Sequence, residues 1–209
     1  KCDSLGLRAE NYYKEKAVTN RKEAYGGVSV LHFSPDDIGR FYEDGRLDYK
    51  TDSLFPNEYL VLKGGKHSAL AVYKDGIIKK LNFTSRKGFN VNGICPRNKE
   101  QTFALEMLLD KDIHMATLTG RAGSGKTLLS TAAAIHLLNE GVYEKIVISR
   151  PVQSLSGDIG YLPGSKFDKM EPWIQPIMDN FRCIFKNAEH YFDIMMQKGT
   201  IEIEALSCR

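Results

Sequence analysis

The segment from Gly120 to Thr127 carries the clearest chemical signature of the chain. It reads Gly-Arg-Ala-Gly-Ser-Gly-Lys-Thr and fits G-x-x-x-x-G-K-[ST], the P-loop pattern that holds nucleoside triphosphates. Glycines allow positive φ angles that turn main-chain N–H groups toward phosphate oxygens, and the following helix adds the positive end of its dipole. We therefore predict nucleotide contacts from the whole loop, which consists of Gly120, Arg121, Ala122, Gly123, Ser124, Gly125, Lys126 and Thr127.

Two residues at the end of this loop are assigned catalytic roles. Lys126 is expected to reach the β- and γ-phosphates with its ammonium group, and the Thr127 hydroxyl is expected to ligate the bridging Mg²⁺. A glycine-rich turn that matches the pattern by chance is the alternative. The strand and helix patterns on both sides of the loop argue against it.

Gln101 is the second candidate contact, because it lies near the start of a helix predicted over residues 96–109. In helicase-like ATPases a glutamine at this place, before the P-loop strand, hydrogen-bonds the adenine edge. A side-chain amide suits that task because it holds a donor and an acceptor together. The alternative is a solvated helix residue with no ligand.

The elements around the loop occur in the order that the motif requires. Residues 114–119 are apolar enough for a buried strand, and residues 128–138 form an Ala-rich helical pattern. A second buried strand is predicted over 145–149, a helix over 171–185 and a last strand over 200–206. This alternation predicts a parallel sheet with helices packed on it.

The N-terminal part of the chain has a different pattern. Residues 1–25 are polar and charged, and we interpret them as a tail or linker. Residues 26–92 are predicted to form a small antiparallel β-rich module, and residues 93–209 the P-loop core. The strand patterns of the module cover residues 28–33, 59–63, 68–73 and 77–81.

Short turn and cap signals join the strands of this module. Gly64-Gly65 and Asp75-Gly76 are typical of hairpin turns. Ser34-Pro35 indicates the start of a short helix, which is expected to end near Gly45.

Composition narrows the class of protein. A net charge of +3 over 209 residues is too small to imply nucleic-acid binding by itself. No apolar run approaches the roughly 20 residues that span a bilayer, and no signal-peptide pattern is present, so the expected location is the cytoplasm without membrane contact.

The cysteines form no C-x-x-C pair and the five histidines no metal spacing, so Mg²⁺ is the only metal expected. The widely spaced cysteines are Cys2, Cys95, Cys183 and Cys208.

Several polar features lack a role fixed by general chemistry. Arg150 follows the second strand at the edge where α/β sheets bind ligands, so it could contact a nucleic-acid or nucleotide phosphate or form a surface salt bridge. Both possibilities stay open. Residues 158–164 and 170–180 are too unusual for generic core, and the lone Trp173 is expected to pack rather than to stack on a base.

A P-loop hydrolase also needs an acidic residue that ends an apolar strand and positions Mg²⁺ and water. No predicted strand of this sequence ends in such an acid, because Phe192-Asp193 lacks a preceding strand and Glu202 and Glu204 alternate within theirs. We expect the acid beyond Arg209, which would make the sequence an excerpt of a longer protein.

Taken together, these motifs resemble the PhoH family of phosphate-starvation-type P-loop ATPases. The matching positions are Ile94 to Gln101, Thr117 to Leu129, Ile148 to Val152, Asp158 to Gly164 and Lys169 to Asn180. The resemblance implies an α/β fold with a RecA-like or helicase-like P-loop core, and it implies ATP and Mg²⁺ as ligands. Arg121 and Ser124 depart from the Pro or Thr that the family often has in its loop.

The N-terminal stretch and the β module resemble the segment that joins a PIN nuclease to PhoH in two-domain members. Those proteins are thought to couple ATP hydrolysis and helicase-like unwinding to RNA cleavage. We therefore expect an ATPase core that acts on RNA, with a ring-shaped homo-oligomer as a possible assembly. The alternatives are an ATP-dependent binding switch without turnover and, less favoured, a small-molecule phosphotransferase.

Overall fold

The computed structural model describes residues 26–84, 87–151, 166–185 and 188–206. The chain divides into two compact units between Lys79 and Lys80. The predicted tail over residues 1–25 and the 158–164 motif lie outside the described residues, as does the side chain of Trp173.

The first unit contains a five-stranded sheet and one helix. Its elements are β1 (Val28–His32), α1 (Pro35–Asp44), β2 (Arg46–Asp48), β3 (Glu58–Gly64), β4 (His67–Lys74) and β5 (Ile77–Lys80). The strand order is β1-β3-β4-β5-β2. The tight turns predicted after β3 and β4 are present, and β3 pairs antiparallel with β4.

One pairing in this sheet differs from the predicted antiparallel module. Strand β1 runs parallel to β3, with Val28 opposite Tyr59 and His32 opposite Lys63. The reason is the connection, because a helical crossover returns the chain to the end from which β1 started, whereas a tight turn reverses it. The sheet is therefore mixed.

Helix α1 forms where its cap signals predicted it. The Ser34 side chain accepts a hydrogen bond from the Asp37 N–H at 3.1 Å, and Pro35 occupies the first turn. At the other end Gly45 adopts a φ of 69° and donates its N–H to the Phe41 carbonyl at 2.9 Å. Phe41 is buried in a core formed with Ile38, Leu54, Leu60, Leu62, Ala69, Ala71, Tyr73 and Ile78.

The second unit has the α/β character that the sequence predicted. Its elements are α2 (Lys99–Leu109), α3 (Lys126–Asn139), β6 (Ile146–Pro151), α4 (Lys166–Ile184), α5 (Ala188–Gln197) and β7 (Ile201–Leu206). Strands β6 and β7 pair in parallel, with Ile146 opposite Ile201. Helix α5 was not predicted.

The predicted strand over residues 114–119 is wrong for this structure. The segment has no strand assignment, and Met115 is 87% exposed. A strand exists only when its main-chain groups pair with another strand. No residue that the structure describes pairs with this segment, so its apolar composition alone does not make it a strand.

Helix α3 lies between two hydrophobic cores. One face packs on α2 and the preceding segment, in a core formed by Val91, Leu105, Leu109, Leu129, Ala132, Ala133 and Leu137. The other face contributes Ile135 to a core that includes Ile177, Phe181, Phe192 and Ile201. Each valine, leucine, isoleucine or phenylalanine side chain of these cores stabilises the fold by roughly 1.5–3 kcal/mol when fully buried. The position of the α3 N-terminus is therefore fixed from both sides.

No helix in the parts of the chain that the structure describes is long and apolar enough to cross a membrane.

Candidate functional site

The loop from Gly120 to Thr127 has the glycine-dependent main chain that its pattern requires. Gly120, Gly123 and Gly125 have φ angles of 155°, 75° and 86°. Gly125 is in the left-handed region at the N-cap of α3, where a side chain would be strained. A Cβ at Gly125 would also lie 3.3 Å from Gln101 Nε2, so glycine permits the close approach of these two residues.

The N-terminus of α3 presents open donors at the end of this loop. No side chain caps the helix, and its first hydrogen bond runs from the Leu129 N–H to the Gly125 carbonyl at 2.9 Å. The amides of the first turn have no intrahelical acceptors, and the helix dipole makes this end positive. Such an end binds anions, and phosphate groups above all.

Lys126 directs its ammonium group back over the loop. Its Nζ donates hydrogen bonds to the carbonyls of Gly120 at 3.0 Å and Arg121 at 2.8 Å, and to Ser124 Oγ at 3.3 Å. The side chain is half-buried. A positive charge is thus held above main-chain carbonyls, within the loop that also presents the open amides.

Thr127 is exposed at the first turn of α3. It lines a cavity of about 410 Å³ together with the loop from Ala122 to Leu128 and with Asn180 of α4. Its hydroxyl is the kind of hard oxygen that Mg²⁺ prefers. Among the described residues no cluster of three or more His, Cys, Asp or Glu side chains could hold a metal ion.

Gln101 lies beside the loop and is bonded to main chain on both sides. Its Nε2 donates to the Ser124 carbonyl at 3.3 Å, and its Oε1 accepts from the Arg97 N–H at 2.8 Å. Its own N–H donates to the Asn98 Oδ1 at 2.8 Å, which caps α2. A side-chain amide has two N–H donors and two lone pairs, so one of each stays available to a ligand.

A second cavity, of about 380 Å³, adjoins Gln101, and neither Thr127 nor Asn180 lines it. It is lined by Gly93, Ile94, Cys95, Arg97, Gln101, Gly123, Gly125, Leu128 and Leu129. Sequence reasoning did not assign Cys95, Arg97 or Asn180 to the site. Cys95 and Arg97 lie close to Gln101 in the sequence, which could have indicated that they belong to the site. Asn180 is far from Gln101 and from the loop in the sequence.

Three predicted site residues have more limited support. Arg121 and Ala122 are exposed in the loop, and Arg121 contributes its carbonyl to Lys126. The side chain of Arg150 lies outside the described residues, although its main chain is part of β6. A phosphate contact or a salt bridge by Arg150 stays a prediction.

A glycine-rich loop that ends in Lys-Thr at the start of a helix, in an α/β unit with parallel strands, defines a P-loop protein. The model of the family described as PhoH-like protein matches residues 93–208. The chain belongs to this PhoH family. Membership indicates a nucleotide-binding protein of the P-loop ATPase type.

Curated relatives agree with this family. Protein PhoH2 of Bacillus subtilis is 38% identical over an aligned length of 218 residues, gaps included. The alignment covers 99% of this chain and 48% of that protein. Protein PhoH2 of Mycolicibacterium smegmatis is 30% identical over 99% of this chain and 46% of its own length. Protein PhoH of Escherichia coli is 34% identical over 95 residues, 46% of this chain and 26% of that protein.

The chain spans about half the length of the PhoH2 relatives that it matches. No solved structure matches it. The family match begins at residue 93, whereas the compact units divide between Lys79 and Lys80. The domain limits given by the sequence therefore stay a prediction.

Proposed function

We propose that this chain is the ATP-binding core of a PhoH-type ATPase, whose complete protein couples ATP hydrolysis to the remodelling or cleavage of RNA. The observation that carries the proposal is the Lys126 ammonium group. It is held 2.8 to 3.0 Å from two loop carbonyls beside the open N-terminus of α3. A RecA-like or helicase-like arrangement of the sheet and a homo-oligomeric ring are parts of the same proposal.

The residues of the loop fit a triphosphate. On binding, Lys126 exchanges hydrogen bonds with neutral carbonyl groups for ion pairs with the β- and γ-phosphates, in which both partners are charged. The amides at the start of α3 donate to phosphate oxygens, and Thr127 offers its hydroxyl to the metal. Bound Mg²⁺ would neutralise part of the charge on the β- and γ-phosphates.

The cavity beside Gln101 fits the base. Its lining combines the apolar side chains of Ile94 and Leu128 with the amide of Gln101 and the guanidinium of Arg97. Gln101 keeps one N–H and one lone pair, which match the acceptor and donor on the adenine edge. The bonds of Gln101 to Arg97 and Ser124 hold its amide in one orientation, and a fixed amide discriminates better than a mobile one.

A titration of Mg·ATP against the purified protein tests the phosphate contacts. Lys126→Ala should raise the Kd by about 100-fold, because a phosphate-neutralising charge is lost. Lys111→Ala removes an exposed lysine outside the loop and serves as the matched control. Circular dichroism should show that both variants are folded. A Kd for folded Lys126→Ala within about twofold of the wild-type value would refute the proposal.

The native thiols provide a test of where the base lies. Cys95 is exposed in the cavity beside Gln101, and Cys183 is exposed on α4. Alkylation with N-ethylmaleimide, resolved by site with mass spectrometry, should be slowed at Cys95 by saturating Mg·ATP and unchanged at Cys183. If bound ATP leaves both rates unchanged, the base occupies another place.

The activity of the complete protein needs its own measurement. We expect phosphate release from ATP by the full-length protein to be stimulated by RNA and abolished by Lys126→Ala. ATP binding without release of phosphate would instead favour an ATP-dependent binding switch. Light scattering of the full-length protein with and without ATP tests the ring.

A further inference from the structure

Asn180 of α4 lines the cavity that contains Thr127 and the phosphate-binding loop. The cavity assigned to the base contains neither Asn180 nor Thr127. Asn180 therefore lies at the end of the site where the pattern expects the terminal phosphates and the metal. It belongs to the 170–180 segment, which sequence reasoning singled out without assigning a role.

Packing on both sides of Asn180 fixes its place. Ile177, one turn before it, is 4% exposed, and Phe181, directly after it, is 1% exposed. Both belong to the core that contains Ile135 of α3. Because α3 starts at the loop, the same helix that presents Thr127 also anchors the stretch of α4 that presents Asn180.

The amide of Asn180 is oriented but not saturated. Its Nδ2 donates one hydrogen bond to the Pro176 carbonyl at 2.6 Å, within the same helix. A primary amide nitrogen has two N–H groups, so the second one is available. The side chain is half-buried, and it has no other hydrogen bond among the residues that the structure describes. The adjacent Asp179 is instead paired with Arg182 at 2.8 Å.

We propose that the free N–H of Asn180 donates a hydrogen bond to the γ-phosphate of bound Mg·ATP, and that Asn180 thereby distinguishes ATP from ADP. This inference rests on the proposed nucleotide site. The bond to the Pro176 carbonyl holds the amide in place, so little further ordering accompanies binding. Since α4 carries the amide, the γ-phosphate links α4 to the start of α3.

Parallel titrations with Mg·ATP and Mg·ADP test this assignment. Asn180→Ala should weaken ATP binding by about 10-fold, which is the smaller end of the effect of a hydrogen bond to a charged group. It should leave ADP binding within about twofold of wild type. Asn180→Asp should weaken ATP binding further, because a carboxylate would face the γ-phosphate. Asp179→Ala is the control on the same helix and should change neither affinity.

The outcomes separate this inference from the proposed site. If Lys126→Ala weakens binding as expected but Asn180→Ala and Asn180→Asp bind both nucleotides as the wild type does, the site stands and the role of Asn180 is refuted. An equal loss of ATP and ADP affinity in Asn180→Ala would also refute it, because that result indicates a general disturbance of the cavity. If folded Lys126→Ala binds ATP normally, both proposals fail.

Discussion

Glu106 provides a sharp test of how the second unit is held together. This carboxylate is 4% exposed on α2. It accepts hydrogen bonds from the N–H groups of Asn82, Phe83 and Thr84, and from the Thr84 hydroxyl at 3.0 Å. A buried charge is tolerated only when it is well hydrogen-bonded, and here one side chain satisfies three consecutive amides. We expect its removal to release this segment from α2.

The size of the effect follows from the lost bonds. Truncation by Glu106→Ala leaves three main-chain donors and one hydroxyl without their acceptor, and an orphaned buried donor costs about 1–3 kcal/mol. Asn82 is exposed and water can reach it, so we expect a total loss of about 3 kcal/mol rather than the full sum. Glu106→Gln keeps the shape and one acceptor oxygen but turns an NH₂ group toward N–H donors, and should cost about 2 kcal/mol.

Chemical denaturation followed by circular dichroism measures these losses. Glu100→Gln is the matched control, because Glu100 is exposed on the same helix and lies 3.8 Å from Lys99 in a weak surface ion pair. We expect the control to change stability by less than about 0.5 kcal/mol. If Glu106→Gln unfolds at the same denaturant concentration as the control, the carboxylate does not hold the segment, and the reasoning is wrong.

Other predictions concern the first unit and can be checked by thermal unfolding and NMR. Gly64→Ala should destabilise by about 1–3 kcal/mol, because its Cβ would lie 2.6 Å from Ile38 Cγ1. Gly39→Ala should stabilise by about 0.5–1 kcal/mol, since Gly39 is exposed within α1 and a Cβ there meets nothing within 4 Å. A hydrogen bond from Ser34 lowers the pKa of Asp37, desolvation opposes this effect, and Arg40 lowers the pKa further. Ser34→Ala should therefore raise that pKa in an NMR titration. In the wild type, ionised Asp37 contributes stability that is lost as the pH falls through its lowered pKa. In Ser34→Ala the pKa is higher, so this contribution should be lost at a higher pH.

Local signals in the sequence were sufficient for most elements of the fold. The helix caps at Ser34 and Gly45 and the two hairpin turns depend only on residues close together in the chain. They could therefore be predicted without knowing which strands pair. Strand β2 has only three residues and gave no such signal. The parallel pairing of β1 with β3 could not be predicted, because the strand pattern does not specify which strand is the neighbour or its direction.

Some features of the candidate site could likewise be predicted from the sequence, and others could not. The pattern from Gly120 to Thr127 predicted positive φ angles at its glycines, and the structure has them. The contact of Lys126 with the phosphates stays a prediction. The double bonding of Gln101 to Arg97 and Ser124 depends on how α2 meets the loop, which no motif encodes. Asn180 comes from a helix far along the chain, so only the packing of α4 on α3 could bring it to Thr127.

The positive φ angles of the loop glycines could be predicted from the sequence, whereas the absence of a strand over residues 114–119 could not. One physical difference explains both outcomes. The side-chain hydrogen bonds of Lys126 all end on residues between Gly120 and Ser124, and Gln101 adds one bond to the Ser124 carbonyl. The loop conformation therefore depends on its glycines, its lysine and the adjacent helix α2. Residues 114–119 would form a strand only if another strand paired with their main-chain groups, and no described residue does so. The loop therefore has its glycine-dependent conformation although the segment that leads into it is not a strand. Since two hydrophobic cores hold α3, the end of the loop is fixed without any strand over residues 114–119.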